Sequence, residues 1–170
     1  SVVIGNVGPV ADSVALVPDE VYVGTILQAV PVGTDPDEDE LTWDFTWYVN
    51  GGEVASGPDD RLLGGFVKGD ELFVEARASD GVAQSEPVES SIVTVLNSPP
   101  VVETATITPT EPKGNDDLTC NVAGAFDADG DTVGTTIRWI VDGRVSGTGP
   151  VLSSAATRRD QRVTCQVTPD

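Results

Sequence analysis

The stretch Leu41-Thr42-Trp43-Asp44-Phe45-Thr46-Trp47-Tyr48-Val49-Asn50-Gly51 decides the fold class. Leu41, Trp43, Phe45, Trp47 and Val49 occupy every second position, with polar or smaller residues between them. A period of two places one set of side chains on one face of an extended strand. Asn50-Gly51 ends the run, and such a pair tolerates the positive φ angles of a tight turn. The design recurs at Val133, Thr135, Ile137, Trp139 and Val141, closed by Asp142-Gly143. Leu72, Val74, Ala76 and Ala78 form another alternating run, matched by Val163, Cys165 and Val167. No segment sustains a helical period, and the frequent Val and Thr favour strands. The chain is therefore expected to be all-β.

Outward from these runs, the chain repeats itself. Asn6-Val7-Gly8-Pro9 matches Asn97-Ser98-Pro99-Pro100, and Leu16-Val17-Pro18 matches Ile107-Thr108-Pro109. Asp35-Pro36-Asp37-Glu38-Asp39 matches Asp127-Ala128-Asp129-Gly130-Asp131, and Val74-Glu75-Ala76 matches Cys165-Gln166-Val167. The offset is 91 for the first match (97 − 6) and 92 for the acidic one (127 − 35). A period near that of one sandwich domain, about 100 residues, predicts two tandem immunoglobulin-like β-sandwich domains. Their expected bounds are 7–97 and 98–170, with 1–6 as the last strand of a preceding module or a donor strand.

The order Cys120, Trp139, Cys165 resembles the pin of immunoglobulin-like sandwiches, in which a disulfide joins the sheets and a Trp packs against it. The resemblance implies a Cys120–Cys165 disulfide, worth about 3–4 kcal/mol by loop-entropy arithmetic, and an oxidising compartment. Two buried free thiols are the other reading; zinc is disfavoured because it takes four ligands. In the first repeat Val74 stands where Cys165 stands. Leu27 or Gln28 is expected opposite, with an inward Leu27 the better fit, so that repeat relies on an apolar core including Trp43, Phe45, Trp47, Phe66 and Phe73.

The Asn97–Pro100 segment, the Asp127–Asp131 loop, the Trp-x-Val-Asn/Asp-Gly pattern and the Lys68-Gly69-Asp70 turn together resemble tandem Ig-like repeats of large bacterial surface and secreted proteins. PKD and bacterial cadherin-like domains share the Asp-x-Asp-Gly-Asp loop. The resemblance implies a spacer, adhesin, filament subunit or enzyme appendage. Glu38 departs from it, standing where the loop has Gly130.

Composition narrows the partners. The chain holds 28 acidic and 9 basic residues, a net charge of −19, and no His. Such a surface repels nucleic acid and anionic lipid, so no nucleic-acid partner is expected. No apolar run reaches the 18 or so residues of a membrane helix, so no membrane insertion is expected. The missing imidazole removes the commonest general base. Asp59-Asp60 and Asp116-Asp117 are the paired carboxylates, and they read as turn residues, so no enzyme is expected. Arg158, Arg159 and Arg162 form the one basic cluster and read as a solvated edge.

The acidic loops carry the one chemical constellation. Asp35, Asp37 and Asp39, and likewise Asp127, Asp129 and Asp131, place carboxylates at alternate positions of a turn. Ca2+ takes six to eight hard oxygens, and such a turn can converge on one ion. Asp80 is added as a fourth candidate, expected at the same end of the sandwich, and Asp170 is expected at the equivalent end of the second repeat. The plain alternative is a solvated acidic hairpin. Sandwich topology puts loop 127–131 beside Asn97–Pro100 and facing Asp19, Glu20, Asp70 and Glu71, where an ion would stiffen a junction.

Ser1-Val2-Val3-Ile4 precedes Asn6 as Ile92-Val93-Thr94-Val95 precedes Asn97, and the second repeat lacks the counterpart of residues 80–96. Either the chain is a window on a longer array, or Ser1–Ile4 of one subunit completes the next by donor-strand addition. The expected partners are neighbouring Ig-like modules or identical subunits head-to-tail. The expected function is a structural or adhesive module of an extracellular or cell-surface fibre, filament or stalk. The alternative is a carbohydrate-binding accessory module of a secreted enzyme, for which Tyr22 and Tyr48 are the surface aromatics.

Overall fold

Inward alternation builds the fold strand by strand. A computed structural model describes Ser1–Asp170, and its contacts divide the chain into two units, Ser1–Asn97 and Ser98–Asp170. In the first unit, β1 (Val10–Val17), β2 (Leu27–Thr34) and β5 (Arg61–Leu62) form one antiparallel sheet in the order β1-β2-β5. β3 (Thr42–Val49), β4 (Gly52–Gly57), β6 (Glu71–Ser79) and β7 (Val88–Glu89) form the other in the order β4-β3-β6-β7, and β8 (Val93–Thr94) also pairs with β6. Their inner faces bury Val14 and Leu16 of β1, Leu27 and Ala29 of β2, Phe45 and Trp47 of β3, and Leu72, Val74 and Ala76 of β6. Phe66 joins this core from the connection after β5. Asn50 and Gly51 close the β3–β4 hairpin with φ of 51° and 76°, as the pair predicts.

The second unit repeats the first six strands. β9 (Val101–Thr108), β10 (Leu118–Phe126) and β13 (Val151–Leu152) form one sheet. β11 (Thr135–Val141), β12 (Arg144–Thr148) and β14 (Val163–Pro169) form the other, in the order β12-β11-β14. Leu118, Cys120, Ile137, Trp139, Val141 and Leu152 are buried between them. Asp142 and Gly143 repeat the hairpin turn, with φ of 47° and 80°. The one helical element is a single 3-10 turn, Ser154–Ala156. The protein is thus all-β and sandwich-like, and no helix is long and apolar enough to cross a membrane.

Register corrects two expectations. Leu27 pairs with Leu62 as Leu118 pairs with Leu152, so the counterpart of Cys120 is Ala29, two residues beyond Leu27. The Ala29 amide donates to the Asp60 carbonyl at 2.8 Å, and the Cys120 amide donates to the Pro150 carbonyl at 2.8 Å. Leu27 does point inward, fully buried, but it matches Leu118. The second correction is Phe73. It lies between inward Leu72 and Val74, so the pleat turns it to the outer face, where it stacks on Tyr48 with ring centroids 4.5 Å apart. Trp43 keeps inward parity but is only half-buried, packed at the margin of the core. Leu41 and Val133 precede their strands rather than joining them.

Candidate functional site

Each acidic loop follows the second strand of its unit and folds on its own first aspartate. Asp35 Oδ1 accepts the amides of Asp37 at 2.8 Å and Asp39 at 3.4 Å, and the Glu38 amide reaches the Asp35 carbonyl at 3.2 Å. In the second unit Asp127 Oδ1 accepts the Asp129 amide at 2.8 Å, and the Gly130 amide reaches the Asp127 carbonyl at 3.2 Å. This is the Asx-turn habit of aspartate. Glu38 takes φ 64° where Gly130 takes φ 82°. The substitution that distinguishes the loops in sequence therefore leaves their backbone course the same, with Glu38 held in the left-handed region that costs a side chain energy.

The third residue of each loop grips the start of its own unit. Asp37 Oδ2 accepts the Val7 amide at 2.6 Å. Asp129 Oδ2 accepts the Ser98 amide at 2.5 Å, and its Oδ1 accepts the Ser98 hydroxyl at 3.1 Å. Loop 127–131 thus does sit beside the Asn97–Pro100 segment, at Ser98. The signal for these anchors lies in the repeated Asn6–Pro9 and Asn97–Pro100 motifs. A backbone amide as the gripping group carries no side-chain signature.

Three carboxylate oxygens converge in each loop. One from each of Asp35, Asp37 and Asp39 lies within 4.8 Å of the others, and the same holds for Asp127, Asp129 and Asp131. Two oxygens on one calcium ion at 2.3–2.6 Å stand at most about 5 Å apart, so this spacing suits a shared hard cation. The first loop adds a further feature: Asp35 Oδ2 is buried and has no hydrogen-bond partner. An unsatisfied buried carboxylate oxygen is costly, and a cation is one way to satisfy it.

Asp80 is not among the converging groups. Its Oδ2 accepts the Asn6 side-chain amide at 2.9 Å, and its Oδ1 accepts the Val82 and Ala83 amides, each at 2.6 Å. The Ala83 amide above all, with Asn6 and Val82, holds its carboxyl below the usual aspartate range. Asp80 thus closes the turn after β6, one residue from the Val7 anchor. Asp170 pairs its backbone with Gly134 in both directions, at 2.9 and 3.1 Å.

Cys120 and Cys165 form a disulfide between β10 and β14, one strand from each sheet, with Cα atoms 6.1 Å apart. Trp139 is fully buried beside it, paired with Cys165 across β11 and β14, and its Nε1 donates to the Gly149 carbonyl at 2.9 Å. The adjacent acid pairs are each engaged by hydrogen bonds within their own unit. Asp59 accepts the Arg61 amide, Asp60 the Gln28 side-chain amide, Asp116 the Lys113 amide and Asp117 the Ser154 amide. Arg158 Nη1 donates to the carbonyls of Ala155 and Thr157, and Arg159 pairs with Asp160 at 3.4 Å. No protein-family model matches the chain, and no curated protein matches it.

Proposed function

We propose that this chain is a structural or adhesive module of an extracellular fibre, filament or surface stalk built from repeated immunoglobulin-like sandwiches. The observation that carries this reading is the duplication of the loop anchor. Asp37 to Val7 and Asp129 to Ser98 are the same bond in both units, alongside the matched turns and strand registers. Selection that keeps such bonds in successive copies suits a protein whose work is repetition. The disulfide supports an oxidising, extracellular setting. The paired carboxylates are engaged by hydrogen bonds from their own chain, which favours a scaffold over a catalyst.

Ca2+ is the cation proposed for the loops, with Asp35, Asp37 and Asp39 as ligands in the first unit and Asp127, Asp129 and Asp131 in the second. The hard-oxygen donor set suits calcium better than zinc. Immunogold labelling of intact source cells tests the reading. Gold on the surface, or along extended assemblies, is the expected result. Label confined to the interior would overturn it.

A carbohydrate-binding role has one specific observation behind it, the Tyr48–Phe73 stack on the outer face of the β3–β6 pair. Sugars stack on flat rings, and these two are half-buried on that face. A glycan array with Tyr48→Ala beside the parent chain separates the two roles: loss of a sugar signal on substitution would favour this second reading.

A further inference from the structure

The outer face of the first unit's larger sheet carries charge that its own chain leaves unbalanced. The strand order β4-β3-β6-β7 and the registers set it out in rows. Tyr48 stands opposite Glu53 on one side and Phe73 on the other. In the next row Thr46 stands opposite Ser56 and Glu75, and Glu75 stands opposite Glu89. The row beyond sets Asp44 opposite Arg77, acid against base. Glu75 and Glu89 are like charges directly across a strand pair, an arrangement that destabilises a sheet. No ion pair reaches them or Glu53. Burial, and after it the charges of Glu75, Glu53 and Glu89, raise the Tyr48 phenol above its ordinary value. Three carboxylates therefore act on one ring.

The shared fold does not require such a face. In the second unit Val145, Ile140 and Thr164 occupy the places of Glu53, Tyr48 and Phe73. Thr148, Arg138 and Gln166 occupy those of Ser56, Thr46 and Glu75. None of these six is a ring or a carboxylate. Charge is uneven along the chain as well. Residues 1–97 hold 18 of the 28 acidic residues and 3 of the 9 basic ones, a net charge of −15 (3 − 18). That field draws cations to the first unit.

The width of the face chooses the cation. Glu53 lies on β4 and Glu89 on β7, three strand spacings or about 14 Å apart. One inorganic ion cannot touch both, whereas a segment bearing several positive side chains spans them. The Tyr48 and Phe73 rings, half-buried, add a flat apolar step, with centroids 4.5 Å apart and planes 6° from parallel. A guanidinium is planar, weakly hydrated, stacks on aromatic rings and forks onto carboxylates, which an ammonium does less well.

We propose that the outer face of β4-β3-β6-β7 docks an arginine-rich segment of a partner protein, one guanidinium lying on the Tyr48–Phe73 pair beside Glu53 and another between Glu75 and Glu89. The segment brings the positive charge that this face lacks, so binding relieves the repulsion between Glu75 and Glu89. The contact holds whether or not the chain serves as a fibre module.

Fluorescence anisotropy of a short labelled peptide with arginine at every second position tests this. Saturable binding to the 170-residue chain that weakens as salt rises is expected. Glu75→Gln with Glu89→Gln should weaken it at least about tenfold, since charge-assisted bonds are lost. Glu20→Gln with Glu111→Gln removes the same charge from exposed positions outside these strands, and should weaken it less than about twofold. Tyr48→Ala should weaken it about threefold. Freed of like charges, the Glu75→Gln, Glu89→Gln variant should melt no lower than the parent, which separates lost binding from lost folding. No binding, equal losses in the two double variants, or equal binding of a lysine version of the peptide would overturn the arginine-rich partner. Self-association of the chain that disappears in Arg138→Gln would put a second copy on this face instead. A Tyr48-dependent sugar signal without peptide binding would give the face to carbohydrate.

Discussion

Ala29 stands in the first unit where Cys120 stands in the second. Each sits on the second strand, each is buried, and each amide takes the carbonyl of a residue just before the fifth strand at 2.8 Å. Val74 follows Ala29 by 45 positions, as Cys165 follows Cys120. One sandwich therefore fills with a methyl and an isopropyl group the space that its copy fills with a disulfide.

The double substitution Ala29→Cys, Val74→Cys should consequently close a second disulfide. Intact-mass measurement under denaturing, non-reducing conditions should show the loss of two further hydrogens. Thermal unfolding of the first unit should rise, with a gain of about 3–4 kcal/mol from loop closure. Reducing the native Cys120–Cys165 bond should cost the second unit about 2–5 kcal/mol and leave the first unchanged.

Calcium should raise the unfolding temperature of the parent chain. Ligand present at a hundredfold excess over its dissociation constant stabilises by about 2.7 kcal/mol. Asp35→Asn should abolish the rise in the first unit, because Asp35 offers the buried unpartnered oxygen there. Calorimetry with and without calcium measures both. An unchanged melting temperature in the parent would mean that the acidic loops are merely solvated.

Trp139→Phe should lower the stability of the second unit. The smaller ring leaves the Gly149 carbonyl, now bonded at 2.9 Å, without its donor. An acceptor left unpaired in a part-buried place costs about 1 kcal/mol, to which the lost ring volume adds. Urea unfolding followed by the second unit's signal is the measurement.

Asp70 ties stability to acid. The Val67 amide, and then the Asn50 side chain, hold its carboxyl below the usual range. A depressed folded-state pKa means that the unfolded chain takes up the proton first. The stabilisation is therefore fully present above about pH 4 and is lost as pH falls through the lower folded value. Asp70→Asn should lower the melting temperature at neutral pH and make little difference in strong acid. Melting curves of both proteins across that window check the sign.

The acidic triads were legible in sequence because aspartates at alternate positions of a short turn have few ways to diverge. Asp80 was not, since its partners, Asn6 and the amides of Val82 and Ala83, are set by where the turn after β6 lands. Ala29 was missed for a related reason. Leu27 and Ala29 share one face of β2, so periodicity cannot tell them apart, and only pairing with β5 settles the register.

By itself, then, the amino-acid sequence determined the strand periods, the Asn-Gly and Asp-Gly hairpins, the inward tryptophans and the duplication. All of these follow from local stereochemistry and from which face must leave water. The tertiary structure alone decided the cross-strand register, the outward stack of Phe73 on Tyr48, and the backbone amides that grip Asp37 and Asp129. Each depends on which distant backbone groups meet, and a hydrogen-bonding backbone carries the same donor and acceptor at nearly every residue.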